Sequence, residues 1–125
     1  TQEMRESLTF SQRILERMKD CSACVCYNDE LAHLLTTRAQ AAGIRIPQDL
    51  SLVSVDNSEL ARLNAVPLTS VAHPHDVLGV KAAENMLGLI TDPGGDATFE
   101  FEGEIESRRS VVPYNTTQKE KESKT

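Results

Sequence analysis

Two short apolar runs constrain this chain more than anything else in it. Ala23–Cys24–Val25–Cys26–Tyr27 ends in Asn28–Asp29–Glu30, and Leu50–Ser51–Leu52–Val53–Ser54–Val55 ends in Asp56–Asn57. Runs this short, mostly apolar and closed abruptly by polar residues, predict buried parallel strands. Parallel α/β sheets bind ligands at the carboxyl ends of their strands. The two run ends therefore offer Asn28, Asp29, Asp56 and Asn57 to one crevice. Amides and carboxylates pair well with hydroxyls, whereas phosphates are repelled by carboxylates and prefer helix N-termini, Gly-rich loops or cations. The pattern favours a neutral, hydroxyl-rich ligand such as a sugar.

The segments around these runs predict a doubly wound, mostly parallel α/β sheet. Residues 3–19 place Met4, Leu8, Leu15 and Met18 on one helical face. After a strand at Cys24–Tyr27, Asn28–Asp29 can cap a helix through Leu31–Ala42, which stops at Gly43 in a left-handed turn. A strand at Leu50–Val55 leads to a short helix at Glu59–Asn64, broken by Pro67, and to a third strand at Leu68–Ala72. His73–Pro74–His75 reads as a joint, because Pro74 biases His73 to extended backbone. Asp76 is placed to cap a helix through Ile90, with Leu78, Ala82, Met86 and Leu89 on its packed side. Phe99–Glu106 alternates apolar residues with Glu100, Glu102, Glu104 and Glu106, predicting a half-exposed strand whose glutamates form a solvated face. Arg108–Arg109 can anchor an anion or offset those glutamates. Ser110–Tyr114 reads as a last short strand, and Asn115 onward as a disordered polar tail.

Composition narrows the function classes. The 125 residues allow one modest core, and a net charge of −6 gives no basic footprint for nucleic acid. No apolar stretch approaches the ~20 residues of a membrane span. The first residues carry no apolar signal core and begin with Thr1 rather than Met, compatible with a fragment or processed chain. Cys21, Cys24 and Cys26 are an odd number, against a disulfide framework. Cys21-x-x-Cys24 with His33 or His73 would make a zinc site only with a fourth ligand at suitable spacing, and Cys24 and Cys26 suit one face of a strand as small apolar side chains. Reduced thiols fit the cytoplasm. For catalysis, Asp56 as nucleophile lacks an acidic residue two positions on, where Ser58 stands, and no Gly-rich phosphate loop or paired-His motif appears. The chain is expected to be no enzyme and to use neither metal nor cofactor.

Several segments, taken in order, resemble the effector domain of the LacI/GalR family of bacterial repressors. They are Tyr27–Asn28–Asp29–Glu30, the run from Ala41 through Gly43, Pro47 and Asp49, Leu52–Val53–Ser54–Val55–Asp56, Pro67–Leu68–Thr69–Ser70–Val71, and Leu78–Gly79 with Ala82–Ala83. The cysteine before Tyr27–Asn28–Asp29 and the His73–Pro74 pair are most similar to the arabinose-responsive branch that carries a GntR-type winged-helix head. The resemblance implies a periplasmic-binding-protein-like fold of two α/β subdomains around a sugar cleft. Residues 1–72 would form the latter part of the C-terminal subdomain and 73–108 a crossover helix and strand of the N-terminal one. Residues 109–114 would return, and 115–125 would be a disordered tail.

By the same resemblance, Asn28 and Asp56 would hydrogen-bond the sugar, His73 would face the cleft at the crossover, and Asp29 and Glu30 would lie beside the contact. Asn28 and Asp29 can instead serve only as helix caps, Asp56 can cap the short helix after it, and His73 can be a purely structural joint. An aromatic residue often precedes the family's aspartate, but Val55 stands there, and Tyr27 is expected to face the core rather than replace it. Implied partners are a small sugar, with L-arabinose the candidate, and DNA reached only through a head domain outside this chain. A homodimer is implied as well, in which Leu31, Leu34 and Leu35 are either interface or core. A periplasmic sugar-binding protein for transport is the alternative, against which the clustered cysteines weigh.

Overall fold

The computed structural model describes residues 13–114. Helical residues 13–17 (α1) lead through a turn into β1 (Ala23–Val25). The order continues as α2 (Asp29–Ala41), β2 (Ser51–Val55), α3 (Glu59–Leu63), β3 (Thr69–Ala72), α4 (His75–Thr91) and β4 (Glu104–Glu106). The earlier part of the predicted 3–19 helix and the predicted tail lie outside the described residues. β1, β2 and β3 pair in parallel, β4 joins β3 antiparallel, and the sheet order is β1-β2-β3-β4. The mostly parallel α/β reading therefore describes the sheet, and the carboxyl ends of its first three strands share one edge.

The core lies between α2 and the sheet. Ala32, Leu35 and Ala39 of α2 pack with Leu50, Leu52, Ala61, Leu68 and Cys26. Their spacing puts one stripe of α2 against the sheet. Leu35 is thus core, while Leu31 and Leu34 are half-buried. Helix α2 ends as expected, with Gly43 at φ 77°, a left-handed conformation that glycine adopts without the Cβ clash.

Several expectations fail for identifiable reasons. Ser110–Tyr114 is no regular strand; Ser110 instead fills a rung beside the start of β3. Its hydroxyl donates to the Leu52 carbonyl and accepts from the Thr69 amide, while its own carbonyl accepts from the Leu52 amide. The predicted strand at Phe99–Glu106 shrinks to its last three residues. Glu104 pairs with Ala72, the end of β3, and the next partners would be His73 and Pro74, where Pro74 has no N–H to donate. Helix α4 begins at His75 after Pro74 without a side-chain cap, so Asp76 sits in the first turn rather than capping. No residue of α4 is buried, and Met86, predicted on its packed side, is 63% exposed. The Arg108 guanidinium is engaged within the protein rather than by a glutamate among the described residues. It donates to the Leu68 carbonyl and to Asn57 Oδ1.

The contrast between core and α4 is measurable. Leu52→Ala, at a fully buried position, is expected to cost about 2–5 kcal/mol. Val80→Ala, on the exposed side of α4, should stay within about 0.5 kcal/mol. Urea unfolding of the two variants tests the placement of the core, and equal losses would contradict it.

Candidate functional site

The site is built where three strands end. After β1, Asn28 takes extended backbone and its Oδ1 accepts the Leu31 amide at 2.9 Å, capping α2. Capping of this kind typically stabilises a helix by about 1 kcal/mol. The cap uses the side-chain oxygen, and no described residue engages the Nδ2 amide, so Asn28 retains two donors at the strand edge.

After β2 the backbone enters an unusual turn. Asp56 has φ 103° and Asn57 φ 49°, two consecutive left-handed residues of which neither is glycine. Such positions cost on the order of 1–3 kcal/mol each and persist only where the surroundings over-determine them. Here the Asp56 amide donates to the Val71 carbonyl and the Asn57 amide to Ser70 Oγ at 3.0 Å. The Asn57 Oδ1 accepts from Arg108, and Asn57 is not part of the crevice lining described below. The Asp56 carboxylate remains 45% exposed.

Asp29, next to Asn28 in sequence, turns the other way. It is 1% exposed. Its Oδ1 accepts Ser54 Oγ at 2.5 Å and Ser70 Oγ at 2.8 Å, while its Oδ2 accepts the Ser58 amide at 2.7 Å and Ser58 Oγ at 2.8 Å. Burial pushes the carboxyl pKa up, but the bonds from Ser54, Ser58 and Ser70 outweigh it and hold the group below the usual aspartate value. With four accepted bonds, the carboxylate has no capacity directed at a ligand.

His73 follows β3 at the same edge. Its Nε2 lies 3.9 Å from Asp56 Oδ1, and its ring meets Phe101 edge-on, with centroids 6.5 Å apart. Together, Val25, Cys26, Tyr27, Asn28, Val55, Asp56 and His73 line an open crevice of about 560 Å³. Of the predicted site residues, the structure brings Asn28, Asp56 and His73 together. Asp29 is a buried internal acceptor outside the lining, and Glu30 is exposed in the first turn of α2, also outside it.

Tyr27 corrects an expectation. It is 83% exposed and lines the crevice instead of facing the core. Strand parity carried the signal, because buried Cys26 places its neighbours on the opposite side. Burial, with lesser contributions from Cys24, pushes the Cys26 thiol up to about 12, so it lines the crevice as a neutral, weakly polar group. The three cysteines are free, and no grouping of three or more His, Cys, Asp or Glu able to hold a metal occurs among the described residues.

A model of the periplasmic binding protein-like domain matches residues 2–111. The HTH-type transcriptional repressor PurR of Vibrio atlanticus is 38% identical over 106 residues, covering 84% of this chain and 32% of the relative. The arabinose metabolism transcriptional repressor of Geobacillus stearothermophilus is 35% identical over 112 residues, covering 88% and 30% respectively. Among solved structures, the transcriptional regulator CelR in complex with cellobiose superposes with a TM-score of 0.73 at 25% identity, over 83% of this chain and 32% of the other. The chain spans about a third of the length of these curated relatives.

The depressed Asp29 pKa sets an acid limit. Its contribution to stability is fully present above the unfolded-state value near ~3.9 and is lost as pH falls through the lower folded value. Urea midpoints measured from pH 7 to pH 3 should therefore drop at the acid end, and Asp29→Asn should remove part of that drop. An identical acid profile in the variant would contradict the assignment.

Proposed function

The chain belongs to the periplasmic-binding-protein-like domain family as it occurs in LacI-type transcriptional regulators, and from that membership we propose that its crevice binds a small sugar effector. The observation that carries this reading is the meeting of Asn28, Asp56 and His73 at one strand edge, with no lysine or arginine among the described residues that line it. The Asp56 carboxylate accepts two hydroxyl protons at once, and the Asn28 amide donates to a hydroxyl oxygen. Tyr27 offers an exposed aromatic face against the apolar face of a sugar ring, the role left open by Val55. Such a site selects sharply among epimers, because a misplaced hydroxyl leaves a polar partner unpaired.

In this reading the chain is the effector-binding part of a cytoplasmic repressor, and it is no enzyme. Sugar binding shifts a conformational equilibrium between residues 1–72 and the subdomain to which residues 73–108 contribute, and the shift alters DNA binding by another part of the parent protein. The similar proteins bear the names of transcriptional regulators, which favours this role over a transport-associated sugar-binding protein. L-Arabinose is the first candidate, because a repressor of arabinose metabolism is among the relatives. A homodimer is the proposed assembly, with half-buried Leu31 and Leu34 at its interface.

Calorimetric titration with L-arabinose, D-ribose and cellobiose tests the reading. One of them should bind, and Asp56→Ala should then lose about 1.5–3 kcal/mol, roughly 10- to 150-fold in affinity, as expected for hydrogen bonds to a charged group. Glu30→Gln, outside the lining, should change affinity less than about twofold on the same scale. A cooperatively folded chain that binds none of the three, or an affinity loss at Glu30 equal to that at Asp56, would count against the proposed site.

A further inference from the structure

The two polar ends of the crevice come from different strands, so something must fix their relative position. We propose that Asp29 is the positioning residue of the crevice: one buried carboxylate holds the Asp56–Asn57 turn in place and sets it against Asn28. The inference deepens the sugar-binding reading and rests on it for the role of Asp56.

The geometry is specific to a carboxylate. Ser54 lies two residues before Asp56 and Ser58 two residues after it, and both end on Asp29, Ser54 at Oδ1 and Ser58 at Oδ2. The 54–58 segment is therefore clamped at both ends, with the two left-handed residues held between the clamps. Ser70 Oγ donates to the same Oδ1 and accepts the Asn57 amide, so the hold reaches the middle of the turn as well. Ser70 also lies one residue before Val71, whose carbonyl takes the Asp56 amide. On the other side, Asp29 follows Asn28 directly, and Asn28 caps the helix that Asp29 begins. One side chain thus sets the distance between the two groups proposed to grip the sugar.

An amide cannot replace it. Asparagine offers one acceptor oxygen, and its NH2 would face either the serine hydroxyls or the Ser58 backbone N–H. The hydroxyls can rotate to accept, but a backbone N–H cannot. If the amide oxygen takes the Oδ1 place, Asp29→Asn opens the Ser58 end; if it takes the other, the hold on Ser54 and Ser70 depends on hydroxyl rotation. In either case the turn loses part of its clamp.

The test compares Asp29→Asn with Ser110→Ala, which weakens the sheet at the opposite end, away from the crevice. Amide hydrogen exchange is followed by NMR in both variants, and each is titrated with L-arabinose, D-ribose and cellobiose. The expected result is exchange at Asn57 and Ser58 accelerated at least tenfold beyond that at Leu52 in Asp29→Asn, with sugar affinity at least tenfold weaker. Ser110→Ala should lower Tm while leaving affinity within twofold. Equal affinity losses in the two variants, or Asn57 and Ser58 exchange that merely follows Leu52, would overturn the proposal. Failure of the unmutated chain to bind any of the sugars would sink the sugar reading instead, and the exchange data would still decide whether Asp29 clamps the turn. Should Asp29→Asn not fold, Ser54→Ala releases one end of the segment and is read in the same way, with a smaller change in the same direction.

Discussion

The buried carboxylate of Asp29 is the interaction on which the arrangement of the three strand ends depends. An ionised carboxylate taken out of water costs several kcal/mol unless its lone pairs are satisfied. Here three serines supply four donors, from β2, from β3 and from the residue before α3. That requirement accounts for Ser54 and Ser70, both fully buried in short strands that would otherwise favour apolar side chains. It also reverses the usual role of an acidic residue in a first helical turn, which is to face solvent and favour the helix dipole. At Asp29, satisfaction by specific donors ties together elements that are distant in sequence.

Much of the sheet was legible because its signals are local. Apolar runs, the capping geometry of Asn28 and the glycine stop at Gly43 each depend on a few neighbouring residues. The site was legible only in part, because Asn28, Asp29 and Glu30 carry the same sequence signal of a polar helix start. Helical phase separates them: Asn28 stays at the strand edge, Asp29 turns inward and Glu30 faces solvent. The clue to Asp29 lay elsewhere, in serines on strands expected to be buried, which need acceptors. Alternation from buried Cys26 puts Tyr27 on the opposite, exposed side.

Helix α4 and residues 99–103 mark where local signals stop being sufficient. The helix forms with the expected length, yet its apolar side chains Val80, Met86, Leu87 and Ile90 remain more than half exposed. Amphipathic pattern predicts that a helix will bury a face, and is silent on which surface covers it. Residues 99–103 have the alternation of a strand, but β3 ends at Ala72 and Pro74 cannot extend the ladder. A match spanning about a third of each relative's length is consistent with packing partners that belong to other parts of such proteins.

The electrostatics of the strand edge bear on ligand class independently of any relative. The guanidinium of Arg108 is directed at a backbone carbonyl and at Asn57 Oδ1, and does not line the crevice. Cys26 contributes a neutral thiol, because burial opposes its ionisation. Among the described residues, the ion-pair partner beside the Asp56 carboxylate is His73, at 3.9 Å. An anionic ligand would meet this carboxylate with no lysine or arginine among the described lining residues to offset it, whereas hydroxyls can donate to the carboxylate and accept from the Asn28 amide. The two left-handed residues at 56–57, held by hydrogen bonds to β3, fix the backbone from which the Asp56 carboxylate projects. An exposed acceptor on a fixed backbone beside an unengaged amide suits a polyol whose hydroxyl positions are fixed by a ring.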